Sequence, residues 1–207
     1  MRVYVVGPLC LTGIILNLVG VYIIGRDCIV QTTIRFLLRM MAVADTGLLV
    51  TSSVLIIVQP VAYVSSNESR QSIALFIGAG WYVTSMAAVW CVVQVAAERY
   101  VVTWHPLLAD KCTTIPRLRL VAIVIWVGSI AFSMPRFFEH WVIAPSLTVT
   151  AMGTSEAYFI VYRVFLYYLF HFSLPCLFLV FFVHCLIQSV RQNSDSRRQL
   201  QQHSAME

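Results

Sequence analysis

Long apolar runs separated by short polar breaks set the organisation of this chain. Val3 to Gly25 contains no charged residue; Thr33 to Gln59 is apolar except for Arg35 and Arg39 near its start and Asp45 beyond them, with Pro60 marking its end. A polar turn, Ser65-Ser66-Asn67-Glu68-Ser69-Arg70, precedes a third run from Ile73 to Ala97 that Glu98-Arg99-Tyr100 closes. The fourth run extends from Leu118 to Met134, before Pro135, and the fifth from Tyr158 to Val190 with Pro175 inside it. Each is long enough for the bilayer, which needs about 20 apolar residues per spanning helix. The first exceeds the apolar core of about 7–15 residues in a secretory signal and includes Asn17, so it reads as a retained span. The pattern predicts an all-α membrane bundle over residues 1–190, with five helices at about 3–25, 33–59, 73–97, 118–134 and 158–190. Residues 191–207 read as a polar, Gln-rich cytoplasmic tail, expected to be disordered.

Composition supports a bilayer environment. Of 207 residues 59% are hydrophobic and only 11% charged, against about 25% charged in soluble domains. The formal charge of +5 comes from basic residues scattered in ones and twos, which argues for topology signals and against a nucleic-acid stripe. Arg26, Arg35, Arg39, Arg99, Lys111, Arg117, Arg119, Arg191, Arg197 and Arg198 fall on one side of the spans; Arg2, Arg70, Arg136 and Arg163 fall on the other. The positive-inside rule makes the first side cytoplasmic, placing the N-terminus outside and the C-terminus inside. The N-x-S sequon at Asn67 then faces outward as a glycosylation candidate.

Other function classes find little footing. The six cysteines show no metal-site spacing, and His171 and His184 are more than three helical turns apart, too far to share a metal. No H-E-x-x-H, G-x-S-x-G or paired-acid motif suggests an enzyme, so no catalytic residue is assigned. Asp45 is a single mid-span acid without a second ionisable relay partner, and no inverted pair of broken helices accompanies it, which argues against a transporter.

Polar groups within spans mark function or helix packing. Asn17 and Asp45 lie at similar depth, where the amide could donate to the carboxylate. Glu98 and Arg99 stand at the inner end of the third span, followed by His105-Pro106-Leu107. An arginine there can neutralise its neighbour in one state and release it for a partner in another.

Taken together, Leu16-Asn17, Ala42-Val43-Ala44-Asp45, Glu98-Arg99-Tyr100 with His105-Pro106-Leu107, Trp126 and Pro175 resemble rhodopsin-like G-protein-coupled receptors, in order and spacing, over five helices. The resemblance implies a coupling switch for a heterotrimeric G protein at Glu98, Arg99, Tyr100, Pro106 and Leu107. It implies an allosteric sodium site at Asn17 and Asp45, and structural roles for Trp126 and Pro175. Trp81, eighteen residues before Arg99, stands where monoamine receptors of this kind have an aspartate. Trp81, Tyr82, Tyr167, Tyr168 and His171, with Tyr162 nearby, are expected to line an aromatic outer pocket for an amidated peptide. Pro135-Arg136-Phe137-Phe138-Glu139 resembles the invertebrate FMRFamide-type neuropeptide receptors.

Several positions depart from that family. Ala74, and the absence of cysteine between Arg136 and Ala157, remove the disulfide tying the third helix to the following outer loop, so that loop is expected to be mobile. Ala88 replaces a serine that coordinates sodium, weakening that site, and Val183 replaces a tyrosine that supports the active arginine. The resemblance stops after the fifth helix. The expectation is a partial receptor that signals only when helices six and seven are supplied; the alternative is a truncated, non-signalling protein that associates with a full-length receptor as a dimer.

Overall fold

The computed structural model describes residues 2–26, 32–64, 68–143 and 146–204; Asn67 and Cys28 lie outside them. Among the described residues, five helices are long and apolar enough to cross a membrane: Val6–Arg26, Thr32–Ile57, Ser72–Trp104, Ile115–Phe137 and Glu156–Gln192. They coincide with the five predicted runs. Helices are the expected outcome, because in hydrocarbon each backbone group has to be satisfied within its own segment.

Helices α1 (Arg2–Arg26), α2 (Thr32–Val64) and α3 (Glu68–Trp104) pack in sequence, and a short α4 (Pro106–Cys112) leads into α5 (Ile115–Phe137). α2 runs on past Pro60 to Val64, four residues beyond the expected stop. α3 likewise keeps Glu98 to Trp104 helical, because no breaker occurs before His105-Pro106. Pro106 sits at the start of α4, where its missing N–H costs nothing.

The bundle is packed inside out relative to a soluble protein. Its buried positions are mostly small, including Ala44, Ala79, Ala87, Ala88 and Cys91, while large side chains such as Leu16, Val124 and Phe165 point outward. Small interfacial residues let helix backbones approach where lipid supplies no hydrophobic drive. Ala44, Ala88 and Cys91 form the centre, covered by Met41, Leu48, Ile125 and Trp126, so Trp126 has a packing role. At Gly47 a Cβ would meet Thr84 Cγ2 at 3.2 Å, and the Thr51 and Thr84 hydroxyls lie 3.3 Å apart just beyond.

The segment after α5 is a hairpin, β1 (His140–Ile143) antiparallel to β2 (Ser146–Val149), with His140 opposite Val149. It was expected to be a loop left mobile by the missing disulfide. Its base is held by Thr150, whose N–H donates to the Glu139 carbonyl at 3.0 Å and whose hydroxyl donates to the Phe138 carbonyl at 2.9 Å.

After a short α6 (Ala151–Thr154), the fifth span begins with α7 (Glu156–Tyr158), continues through π-helical turns at Phe159–Leu166 and Leu169–Ser173, and ends within α8 (Leu174–Ser204). Pro175 explains the second π stretch. It has no N–H, so the carbonyl five residues back, on Phe170, loses its partner in that register. The Trp90 indole N–H donates to that carbonyl instead, at 3.2 Å. α8 continues to Ser204, where the polar pattern predicted disorder; neither Gly nor Pro interrupts the run after Pro175.

Candidate functional site

At the end of the bundle far from Arg99, helices α3 and α5, the hairpin base and the fifth span bring together an aromatic cluster. Trp81 meets Tyr82 edge-on with ring centroids 5.1 Å apart, and Tyr82 meets Tyr167 edge-on at 5.6 Å. Tyr167 stacks on His171 at 4.8 Å with 17° between the rings. Four of the five expected pocket residues thus form one chain of contacts. Tyr168 does not join it: the residue is 59% exposed and its ring meets Phe172, as expected for a neighbour one position round the helix from Tyr167.

The polar tips of this cluster are fixed by hydroxyls that sequence reasoning missed. The Trp81 indole N–H donates to Ser52 Oγ at 2.9 Å, and that hydroxyl donates to the Leu48 carbonyl at 2.7 Å. His171 Nε2 lies 3.2 Å from Ser85 Oγ, while its Nδ1 is buried without a partner. Serines at these positions look unremarkable in sequence, because serine is a common packing residue between membrane helices.

Above the rings sits a cation that belongs to the chain itself. The Arg136 guanidinium lies 4.2 Å from the Tyr82 ring centroid and 5.6 Å from those of Tyr162 and Tyr167. Its Nη1 donates to Glu139 Oε1 at 3.0 Å, and the Tyr158 hydroxyl donates to the same oxygen at 2.6 Å. Arg163 Nε is 3.8 Å away from that oxygen. Tyr162 donates its hydroxyl to the Phe132 carbonyl. The motif Pro135 to Glu139 had been read only as a likeness; its arginine and glutamate in fact cross-tie α5, α3 and the fifth span.

At the opposite end, Arg99 Nε is 2.9 Å from Glu98 Oε2, with the glutamate side chain 1% exposed and the arginine 35%. The approach lies off the hydrogen-bond direction: both Glu98 oxygens and Arg99 Nη2 have no hydrogen-bond partner. The contact is therefore ionic and poorly directed. Tyr100 turns toward the fifth span, 5.8 Å and 5.5 Å from the rings of Phe181 and Phe182. The Trp104 indole N–H donates to the Cys185 carbonyl at 2.9 Å, closing this end. Pro106 and Leu107 open α4 beside it.

Asn17 and Asp45 are each half-buried, and no hydrogen bond joins them. Beside Asp45 the buried Ala44, Ala88 and Cys91 pack together, and Ala88 offers no oxygen. That donor set fits a sodium ion poorly. Pro175 is fully buried, and Val183 is 48% exposed.

Residues 16–207 match the 7 transmembrane receptor (rhodopsin family). The FMRFamide receptor of Drosophila melanogaster is 29% identical over 206 residues, covering 90% of this chain and 37% of that protein. Melanopsin of Felis catus is 26% identical, covering 90% of this chain and 38% of the relative. Opsin-1 of Manduca sexta is 28% identical over 121 residues, 55% of this chain. The chain spans 37% and 38% of the length of the first two of these relatives.

Proposed function

The chain belongs to the rhodopsin family of seven-transmembrane receptors, and from that membership we propose that it senses an amidated neuropeptide at the Trp81–Tyr82–Tyr167–His171 cluster. The bound state is relayed to a heterotrimeric G protein at Glu98, Arg99 and Tyr100. The cluster is the observation that carries this reading. It lies at the end of the bundle opposite the Arg99 pair, and it presents aromatic faces with polar tips instead of an acid that would pair a small ammonium. Similarity to the Drosophila FMRFamide receptor supports the peptide class.

The orientation follows from the charges flanking the spans: the cluster faces outside a plasma membrane and the Arg99 end faces the cytoplasm. Arg136 lies closest to the Tyr82 face and more distantly over Tyr167, so a peptide would meet chiefly the remaining surfaces of Trp81, Tyr167 and His171. These suit its aromatic side chains and its terminal amide. The Arg136–Glu139 pair forms the wall above them.

The test is a peptide-library screen on cells expressing the complete reading frame. Responses to amidated peptides, lost when the terminal amide is replaced by a carboxylate, support the proposal. Silence to every such peptide, with a response to amines or lipids, overturns it.

A further inference from the structure

His171 has one ring nitrogen engaged and one idle. Its Nε2 lies 3.2 Å from Ser85 Oγ, while Nδ1 is buried and has no hydrogen-bond partner. Tyr167 stacks on the ring at 4.8 Å. A polar nitrogen left in this way is costly inside a bundle, where solvent offers no substitute partner.

The state of the idle nitrogen follows from its neighbours. A neutral imidazole has one N–H, and the hydrogen bond made by one nitrogen sets the state of the other. Ser85 is 5% exposed, and its hydroxyl interacts both with His171 Nε2 and with the Tyr167 hydroxyl. A phenol is a stronger acid than an aliphatic alcohol, so Tyr167 donates to Ser85 and Ser85 donates to Nε2. Nε2 is then the acceptor, and the proton sits on Nδ1. The aromatic cluster therefore holds a buried N–H that lacks an acceptor.

That acceptor has to be neutral. His171 lies about two turns inward from Arg163 along the fifth span, in the apolar part of the bundle. The cation over the same cluster, Arg136, meets Glu139 at 3.0 Å, so its charge is already compensated. A carboxylate placed here would lose its hydration without gaining a counter-ion, whereas an amide carbonyl gives up far less.

Resting on the peptide reading above, we infer that the ligand's terminal carboxamide is its deepest group and that its carbonyl oxygen accepts from His171 Nδ1–H. Ser85 is the positioning residue that keeps the proton on Nδ1. Entry of the oxygen parts the stacked Tyr167 and His171 rings, exchanging a ring contact for a hydrogen bond to a buried donor. The same arrangement selects amidated peptides over free acids, because only the amide arrives uncharged.

The test has a ligand-free arm and a ligand arm. In nanodiscs, nitrogen NMR of the chain carrying isotope-labelled histidine, with His171 assigned by comparison with His171→Gln, is expected to show the proton on Nδ1. A proton on Nε2 overturns the inference. In cells expressing the complete reading frame, the probes are Phe-Met-Arg-Phe amide, its C-terminal thioamide, which is a weaker acceptor, and its free acid. His171→Gln keeps an atom for Ser85 but none at the place of Nδ1, and is expected to lower the potency of the amide about tenfold, the loss of one hydrogen bond. His171→Asn, whose side-chain N–H matches Nδ1, is expected to recover most of it. The thioamide is expected to be about fivefold weaker than the amide on the wild type and equal to it on His171→Gln, a difference that a purely structural role for His171 does not produce. The same thioamide-to-amide ratio on both, or a free acid as potent as the amide, overturns the inference while leaving the peptide reading in place. Silence of the wild type to all three probes overturns the ligand contact together with the peptide reading, and the NMR arm then still decides the place of the proton.

Discussion

Arg136 and Glu139, three residues apart at the end of α5, meet at 3.0 Å with side chains only 6% and 5% exposed. Few ion pairs are so completely buried, and this one stands beneath a hairpin that has no disulfide to anchor it. The arginine lies over Tyr82 of α3, and the glutamate accepts from Tyr158 of the fifth span. The pair therefore supplies, by charge and hydrogen bonds, a tie across the outer end of the bundle.

Removing Arg136 should be among the most damaging single changes at that end. Arg136→Leu leaves Glu139 as a buried, half-compensated anion, an expected loss of about 3–5 kcal/mol. Arg136→Lys recovers only part of it, because an ammonium cannot lie flat over Tyr82 while bonding a carboxylate. Thermal unfolding in nanodiscs measures both; a Tm unchanged in Arg136→Leu would mean that the pair does not hold the structure together.

Trp81 and Ser52 offer a smaller, cleaner coupling. Ser52→Ala leaves the indole N–H without its acceptor, and Trp81→Phe removes the donor, so either alone should cost about 1 kcal/mol. The double variant should cost less than the sum of the two. Strict additivity in a double-mutant cycle would show that the 2.9 Å contact contributes no energy.

Pro175 and Trp90 are linked through the Phe170 carbonyl. Trp90→Phe orphans that carbonyl and should destabilise by roughly 1 kcal/mol. In a Pro175→Ala background the new backbone N–H can satisfy the same oxygen, and the penalty should largely vanish. An equal penalty in both backgrounds would disprove the link.

The five spans were legible because bilayer thickness and a 59% hydrophobic composition leave few other architectures. The aromatic cluster was legible in part: Trp81, Tyr82, Tyr167 and His171 converge, while Tyr168 turns outward. Spacing alone could not tell Tyr167 from Tyr168, since adjacent helical residues point about 100° apart and the π turns shift the phase before Pro175. The Arg136–Glu139 tie and the Ser85–His171 contact escaped because their meaning depends on partners from other helices. The hairpin escaped because its residues pair only with one another, in a segment where a missing cross-link suggested a loop.

Glu98 and Arg99 set a prediction for signalling. Glu98→Gln removes the charge that holds Arg99 at 2.9 Å, shifting the switch toward its released state. In membranes from cells expressing the complete reading frame with a heterotrimeric G protein, ligand-free nucleotide exchange should rise about fivefold, the low end of typical coupling energies. Exchange that stays at the wild-type level would argue that this pair is not the restraint.

The most direct test of the account is a concentration–response comparison, in cells expressing the complete reading frame, for the amidated peptide that activates it. Tyr167→Leu and His171→Ala should shift the response to higher concentration by about tenfold or more, equivalent to about 1.4 kcal/mol each. Tyr168→Leu, altering a neighbour that faces away from the cluster, should leave the curve in place. Equal shifts in all three variants, or a shift only in Tyr168→Leu, would contradict the assignment of the ligand to the cluster that Trp81, Tyr82, Tyr167 and His171 build.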